Sequence, residues 1–294
     1  MANLRDIRSR ITSVKSTKQI TSAMKMVAAA KLKKSQDRIN FIRPYIEKMY
    51  GIIEDLSEHV TINSNTAYSE KREIKNVLII LITSNRGLCG AFNSNISRMA
   101  VKFIEEKYSN QLKSEESKTD FYCFGKKGYE FIKKNNFEII ENNNQIFDEL
   151  SYENISNIAN KLMLLFKEKQ YDCIELIYNN FKVAGISVLK DEVYLPFLID
   201  KEKPEFPAEH IFEPELEYIR EMIIPDYLKT KLFSIFLDSI AAEHGARMTA
   251  MHQATDNATG LIKELTLEYN KARQAAITKE ILEITSGAEA LRSD

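Results

Sequence analysis

The chain has 294 residues, with 41 Lys and Arg against 42 Asp and Glu and 44% hydrophobic residues. That suffices for one large domain or two smaller ones, and a net charge of −1 excludes a uniformly basic or acidic protein. Nine glycines, six prolines and no tryptophan make a sequence poor in breakers, so long uninterrupted elements are expected.

The first element is a helix from Ala2 to about Ser57, interrupted only by Pro44 and Gly51. Leu4, Ile7, Ile11 and Val14 step by three and four, as do Leu32, Ile39, Ile42, Ile46, Met49, Ile53 and Leu56. Each set fits a heptad seam. Between them the apolar residues are Ile20, Met24 and Val27, which predicts a stutter in register and a place where side chains turn outward. Pro44 predicts a local kink. Such a helix is roughly 80 Å long at about 1.5 Å per residue, and it cannot bury its stripe alone.

Thr61–Arg72 reads as a polar linker. Val77-Leu-Ile-Ile-Leu-Ile82, Phe121-Tyr-Cys-Phe124 and Cys173-Ile-Glu-Leu-Ile-Tyr178 read as buried strands. Helical patterns at about Asn93–Tyr108, Lys126–Asn135 and Asn154–Lys169 alternate with them, which predicts a small parallel α/β sheet. Ser187–Tyr194 reads as an added edge strand, Tyr108–Lys118 as a surface loop and Pro196–Pro214 as a second linker.

From about Pro214 to Ser286 a second long helix is predicted. Its stripe is Met251, Ala254, Ala258, Leu261, Leu265, Ala272 and Ala275. Ala241, Ala242, Ala246, Ala250 and Ala254 allow two helix axes to approach closely. Gly245 and Gly260 each cost about 1 kcal/mol against alanine, for which close packing is the simplest compensation. The fold class is therefore α/β: a long antiparallel coiled coil of N- and C-terminal helices with an inserted Rossmann-like α/β domain. The expected divisions are 1–60, 72–196 and 209–287. Leu4–Val14 is expected to pack near Ala272–Leu282, and Ile53 near Leu232.

Met1 runs into Ala-Asn-Leu-Arg-Asp-Ile-Arg without the apolar core of a signal peptide, and the longest apolar run, Val77–Ile82, is too short to span a bilayer. Membrane association is expected only through a partner. Cys89, Cys123 and Cys173 are odd in number and widely spaced, which predicts free buried thiols rather than disulfides.

One loop invites an enzymatic reading. Ser84-Asn-Arg-Gly-Leu-Cys-Gly-Ala91 follows a strand and precedes a helix, where an anion could sit. It lacks the spacing of a dinucleotide fingerprint and the lysine of a P-loop, so it reads as a tight turn relieved by Gly87 and Gly90. No zinc motif includes His59, His210, His244 or His252, and Cys89 has no histidine nearby in sequence. The residues suggest no catalytic, cofactor or metal site.

The charge pattern is more informative. Up to Lys48 the chain carries twelve cations, Arg5, Arg8, Arg10, Lys15, Lys18, Lys25, Lys31, Lys33, Lys34, Arg38, Arg43 and Lys48, against Asp6, Asp37 and Glu47. Charge alone leaves nucleic acid, lipid headgroups and an acidic protein surface open as partners.

The run Ile7-Arg-Ser-Arg-Ile-Thr-Ser-Val14 continues through Ile20-Thr-Ser-Ala-Met-Lys-Met-Val-Ala-Ala-Ala-Lys-Leu32. Near the other end stand His244-Gly-Ala-Arg-Met-Thr-Ala-Met251, Ala254-Thr-Asp-Asn-Ala258 and Leu265-Thr-Leu-Glu-Tyr-Asn-Lys-Ala-Arg-Gln-Ala-Ala-Ile-Thr-Lys-Glu280, then Ile284-Thr-Ser-Gly-Ala-Glu-Ala290. These runs resemble the γ subunit family of F-type ATP synthases. Thr83-Ser-Asn-Arg-Gly-Leu-Cys-Gly90 is similar to the family's central motif, with Asn85 in place of Asp. The resemblance implies a non-catalytic rotor shaft without a cofactor, held in the plasma membrane of a bacterium, on its cytoplasmic face, through its complex. Its implied partners are the α and β subunits of the F1 hexamer, the ε subunit and the c-ring, with no nucleic acid. The implied contact residues are Met24, Lys25, Lys31, Lys33, Lys34, Arg247 and Gln274, the cations meeting an acidic loop of the catalytic subunits.

Overall fold

The structure, a computed structural model, describes residues 4–59, 67–109, 111, 117–147, 150–183, 185–199, 213 and 216–290. Helix α1 spans Leu4–His59 and runs unbroken through Pro44. Strand β1 (Val77–Ile82) leads to α2 (Phe92–Lys107), β2 (Thr119–Phe124), α3 (Lys126–Lys134) and β3 (Ile139–Asn143). A 3₁₀ turn at Gln145–Phe147 precedes α4 (Tyr152–Lys167), β4 (Cys173–Val183), β5 (Ile186–Leu195) and α5 (Leu216–Ala290). Ser151 starts α4 in the usual way, its hydroxyl accepting a bond from Asn154 N at 3.2 Å. Contacts divide the chain into two compact units, one of residues 1–28 with 248–294 and one of residues 29–247.

In the larger unit the strands lie in the order β3-β2-β1-β4-β5. β1 pairs in parallel with β2 and β4, β2 in parallel with β3, and β4 antiparallel with β5. The sheet is therefore mixed, with the expected edge strand running against the rest. β4 extends to Val183, five residues past its expected end, because β5 pairs with the extension. β3 was not expected: Ile-Ile-Glu-Asn-Asn lacks the apolar alternation that marks a strand.

Two cores flank the sheet. Leu78, Ile80, Tyr122, Phe124 and Leu176 face Met49 and Ile53 of α1, Leu162 and Phe166 of α4, and Leu232 and Phe236 of α5. Val77, Ile79, Phe121 and Ile177 face Ile96 and Ile104 of α2 and Ile132 of α3. All six β1 residues are buried, each such side chain contributing roughly 2 kcal/mol. Ile53 and Leu232 share one core, as expected. Arg43 pairs with Asp238, and the Tyr50 and Tyr227 rings lie 5.8 Å apart, so α1 and α5 run antiparallel here.

Thr83, just beyond β1, receives the start of α3. Its hydroxyl accepts from Gly128 N at 2.9 Å and donates to Phe124 O at 3.0 Å. A Cβ on Gly128 would lie 2.7 Å from that oxygen, so only glycine permits the approach.

In the smaller unit Thr21 and Thr255 share a hydrogen bond of 2.8 Å, and Lys25 Nζ donates to His252 Nδ1 at 3.2 Å. Moving forward on α1 moves backward on α5, so the pair is antiparallel. Two expectations need correction. There is no stutter in α1. Ile7, Ile11, Val14, Lys18, Thr21, Lys25 and Ala28 are all buried or partly buried at steps of three and four, with Ser22 and Met24 partly buried beside them, and the same spacing continues through Leu32, Ser35 and Ile39. Ile20, Met26 and Val27 are exposed. The seam keeps its heptad register by accepting polar residues, and apolar residues leave it instead. The second correction concerns pairing. With equal rise on both helices, the Thr21–Thr255 register sets Leu4 level with Ala272 and Val14 with Ile262. Beyond Ala272, residues 273–288 of α5 are exposed.

The expected linkers fall largely outside the described residues: 61–66 of the first, and all of the second beyond Ile199 except Glu213. In the expected surface loop 108–118, Tyr108 is buried against the sheet, and residues 110 and 112–116 lie outside the described set.

Candidate functional site

The loop at Ser84–Ala91 leaves the C-terminal end of β1, the central strand. Its interior is closed by its own Ser84 and Cys89 together with Asn93 in the first turn of α2. Asn93 Oδ1 accepts from Ser84 N at 3.0 Å, and Asn93 Nδ2 donates to Ser84 Oγ at 2.8 Å and to Cys89 Sγ at 3.3 Å. Ser84 Oγ in turn donates to Arg86 O at 2.7 Å. Asn85 donates to Asn144 O at 2.7 Å and accepts from Lys126 N at 3.1 Å. An aspartate there could make only the second bond.

Gly90 takes φ +61, as a turn glycine should, but the other positive φ falls on Leu88, at +64, and not on Gly87. Of the two glycines expected to relieve strain, Gly90 alone has a positive φ. Leu88 is 63% exposed in this unfavourable conformation.

The loop is held from outside by α5. Arg247 donates to Arg86 O at 3.1 Å and to Gly87 O at 3.3 Å, while pairing with Glu243 at 2.6 Å. The Arg247 and Glu243 side chains are 12% and 13% exposed. Desolvation pushes the Glu243 carboxyl upward against the opposing pull of Arg247. Desolvation, then the positive charges of Arg247 and Lys31, hold His244 down at about 4. His244 Nδ1 is buried with no partner among the described residues. A Cβ on Gly245 would lie 3.2 Å from Gly185 N, so here glycine does permit close packing. Gly260 meets nothing within 4 Å, and close packing within the chain does not explain it.

Arg43 is a second clamp. It binds Asp238 Oδ1 at 3.0 Å and donates to Phe181 O at 3.2 Å, joining α1 to α5 and β4. Glu175, buried in β4, receives Lys107 Nζ at 2.6 Å and the Tyr108 hydroxyl. Its Oε2 is buried without a partner among the described residues.

The remaining contact candidates are placed as follows. Met24 and Lys25 are half-buried in the α1 seam of the smaller unit, Lys25 bonded to His252. Gln274 is exposed on α5 of that unit. Lys31, Lys33 and Lys34 are exposed on α1 in the larger unit. Of the seven, Lys25 and Arg247 are bound within the chain, and Arg247 is held by three groups, two loop carbonyls and Glu243. Sequence reasoning missed Arg43, Asp238, Glu243 and Leu88. One signal was available: Glu243 and Arg247 are spaced i, i+4 amid Ala241, Ala242, Gly245 and Ala246, where an ion pair must be close-packed.

All three cysteines are free and buried, as expected. Burial raises the Cys123 thiol to about 12. Desolvation, reinforced by Glu175, raises Cys173 to about 11. Desolvation also raises Cys89, partly offset by Arg247. Among the described residues no group of three or more His, Cys, Asp or Glu could hold a metal ion. No described helix is long and apolar enough to cross a membrane.

Two antiparallel helices from the chain's ends, with an α/β domain inserted between them and its central loop anchored to the second helix, define a class of helical-hairpin protein. A family model described as ATP synthase matches residues 3–291. The ATP synthase gamma chain of Christiangramia forsetii is 51% identical over 99% of each chain. That of Flavobacterium psychrophilum is 50% identical over 99% of this chain and all of its own. The chain belongs to the ATP synthase gamma chain family. Among solved structures it is similar to a chain of the Tetrahymena thermophila mitochondrial ATP synthase central stalk and c-ring, at TM-score 0.57 and 26% identity, over 80% of this chain and 99% of that one. A chain of the Euglena gracilis mitochondrial ATP synthase shares the fold at TM-score 0.67 and 20% identity, over 99% and 95%.

Proposed function

We propose that this chain is the central shaft of a rotary ATP synthase, a non-catalytic subunit that carries torque between a membrane c-ring and a catalytic hexamer. The relatives are gamma chains over their full length, and the similar structures are described as central stalk, F1 and c-ring assemblies. The observation that carries the reading is the outward surface of α1, in a chain of this family. Ile20, Met26, Val27 and Phe41 stand exposed beside Lys31, Lys33 and Lys34, although the helix already has a complete seam toward α5. A helix that displays apolar and cationic side chains beyond its own seam has an external partner to meet.

In this reading 1–60 and 209–287 form the shaft, and 72–196 is the domain that meets the ε subunit and the c-ring. The hexamer's α and β subunits surround the shaft. Lys31, Lys33, Lys34 and Gln274 reach them directly, Met24 and Lys25 from the margin of the seam. Contacts that differ in strength with angle force each catalytic subunit through its states. The complex sits at a membrane, and we place it at the plasma membrane of a bacterium, on the cytoplasmic face. Vesicles carrying the complete complex test this. ATP addition is expected to drive ion uptake only when the chain is present, and equal uptake in vesicles prepared without it would refute the reading.

A further inference from the structure

We propose that Arg247, oriented by Glu243, is a latch that locks the Ser84–Ala91 loop to α5 and makes the central strand of the sheet move with the shaft helix. The proposal rests on the shaft reading and adds a positioning residue to it. A shaft that carries load between a globular domain and a helix needs stiff junctions between the two. Within the larger unit, α5 meets the loop after β1 through the guanidinium of Arg247, which engages Arg86 O at 3.1 Å, Gly87 O at 3.3 Å and Glu243 at 2.6 Å.

The arrangement is specific to arginine. One terminal nitrogen donates to two consecutive carbonyls while the other faces Glu243 one turn earlier, and a lysine ammonium has no rigid fork to divide in this way. Both charged side chains are nearly covered, so water competes little for the bonds. The loop is tied from inside as well, since Arg86 O also accepts from Ser84 Oγ at 2.7 Å. Leu88, next to the latched carbonyls, keeps a positive φ while exposed, with no burial of its own to offset the strain. A strained residue persists where its surroundings over-determine it. The latch supplies that constraint.

Cys89 reports on the loop, because its thiol is covered inside it, while Cys123 and Cys173 lie in the sheet. The test measures the labelling rate of each cysteine in the full chain, for wild type, Arg247→Ala, Arg247→Lys and Glu243→Gln. Arg247→Ala is expected to speed Cys89 labelling about tenfold or more while leaving Cys123 and Cys173 unchanged. Removing the positive charge beside Cys89 would by itself slow the reaction, so acceleration reports opening of the loop. Arg247→Lys should fall between, and Glu243→Gln should show a smaller acceleration. If all three cysteines accelerate together, Arg247 is merely structural and the proposal fails. Unchanged Cys89 labelling in both Arg247→Ala and Glu243→Gln also overturns it, and Glu243→Gln carries the test should Arg247→Ala not fold. In the assembled complex, ions pumped per ATP should drop in Arg247→Ala with hydrolysis retained, and an unchanged ratio would remove the latch from coupling. Failure of the wild-type complex to pump would refute the shaft reading instead, and the labelling result would stand apart from it.

Discussion

Arg43 touches two elements besides its own helix, and the balance of burial makes it costly to lose. Asp238 is 8% exposed in its side chain and its carboxyl is pushed upward by desolvation, with Arg43 the leading opposing charge. Arg43→Ala leaves that carboxylate covered, with a long bond from Asn180 Nδ2 at 3.4 Å and the weaker pull of Lys190 and Lys182 in place of the guanidinium. Because the arginine itself is 42% exposed, the expected loss is about 2 kcal/mol rather than the larger cost of a fully buried pair. Denaturant unfolding should show less than additive loss for Arg43→Ala combined with Asp238→Asn.

His244 gives a pH signature. Its folded pKa, about 4, lies below its ordinary value of 6.5, so the unfolded chain binds more protons between those limits. Stability from this group is therefore full above pH 6.5 and is lost as pH falls toward 4. His244→Gln should flatten that part of the profile of melting temperature against pH. An equally steep fall in both chains would show that His244 is not responsible.

At the scale of elements, the hairpin of the smaller unit is held by a seam that is polar in its middle. Thr21 and Thr255 bond to each other across it. Replacing either threonine by valine should cost about 1 kcal/mol, whereas replacing both should cost less than the sum, because each single change already removes the shared bond and the remaining hydroxyl keeps only its own helix carbonyl, Lys18 O or Met251 O. A double-mutant cycle by thermal unfolding measures this, and strict additivity would mean the bond contributes nothing.

The same seam explains what the sequence could and could not reveal. Hydrophobic periodicity follows apolar residues, so it found the two ends of α1 and lost the middle, where Lys18, Thr21 and Lys25 hold the seam and Ile20, Met26 and Val27 face away. The expected outward turn at Met24 failed for that reason, since Met24 is half-buried beside an unbroken register. Strands with strongly apolar runs, β1 above all with six in a row, were legible, but β3 was not, because its order comes from pairing with β2. The loop's turn was legible from its glycines. Its attachment to Arg247, 160 residues away, was not, because a bond between a guanidinium and backbone carbonyls leaves no mark in local composition.

At the scale of the whole molecule, the buried area serves to fix helices to a sheet, and in the proposed function the exposed cations and apolar residues of α1 are the ones that meet partners. The account therefore stands or falls on rotation. A cysteine placed at exposed Lys102 on α2 can carry a probe while the catalytic hexamer is fixed to a surface, the native thiols being buried. With ATP supplied, the probe is expected to turn persistently in one direction. ATP hydrolysis by the fixed complex with a stationary probe, or with one that only fluctuates about a fixed angle, would contradict the claim that this chain is the shaft.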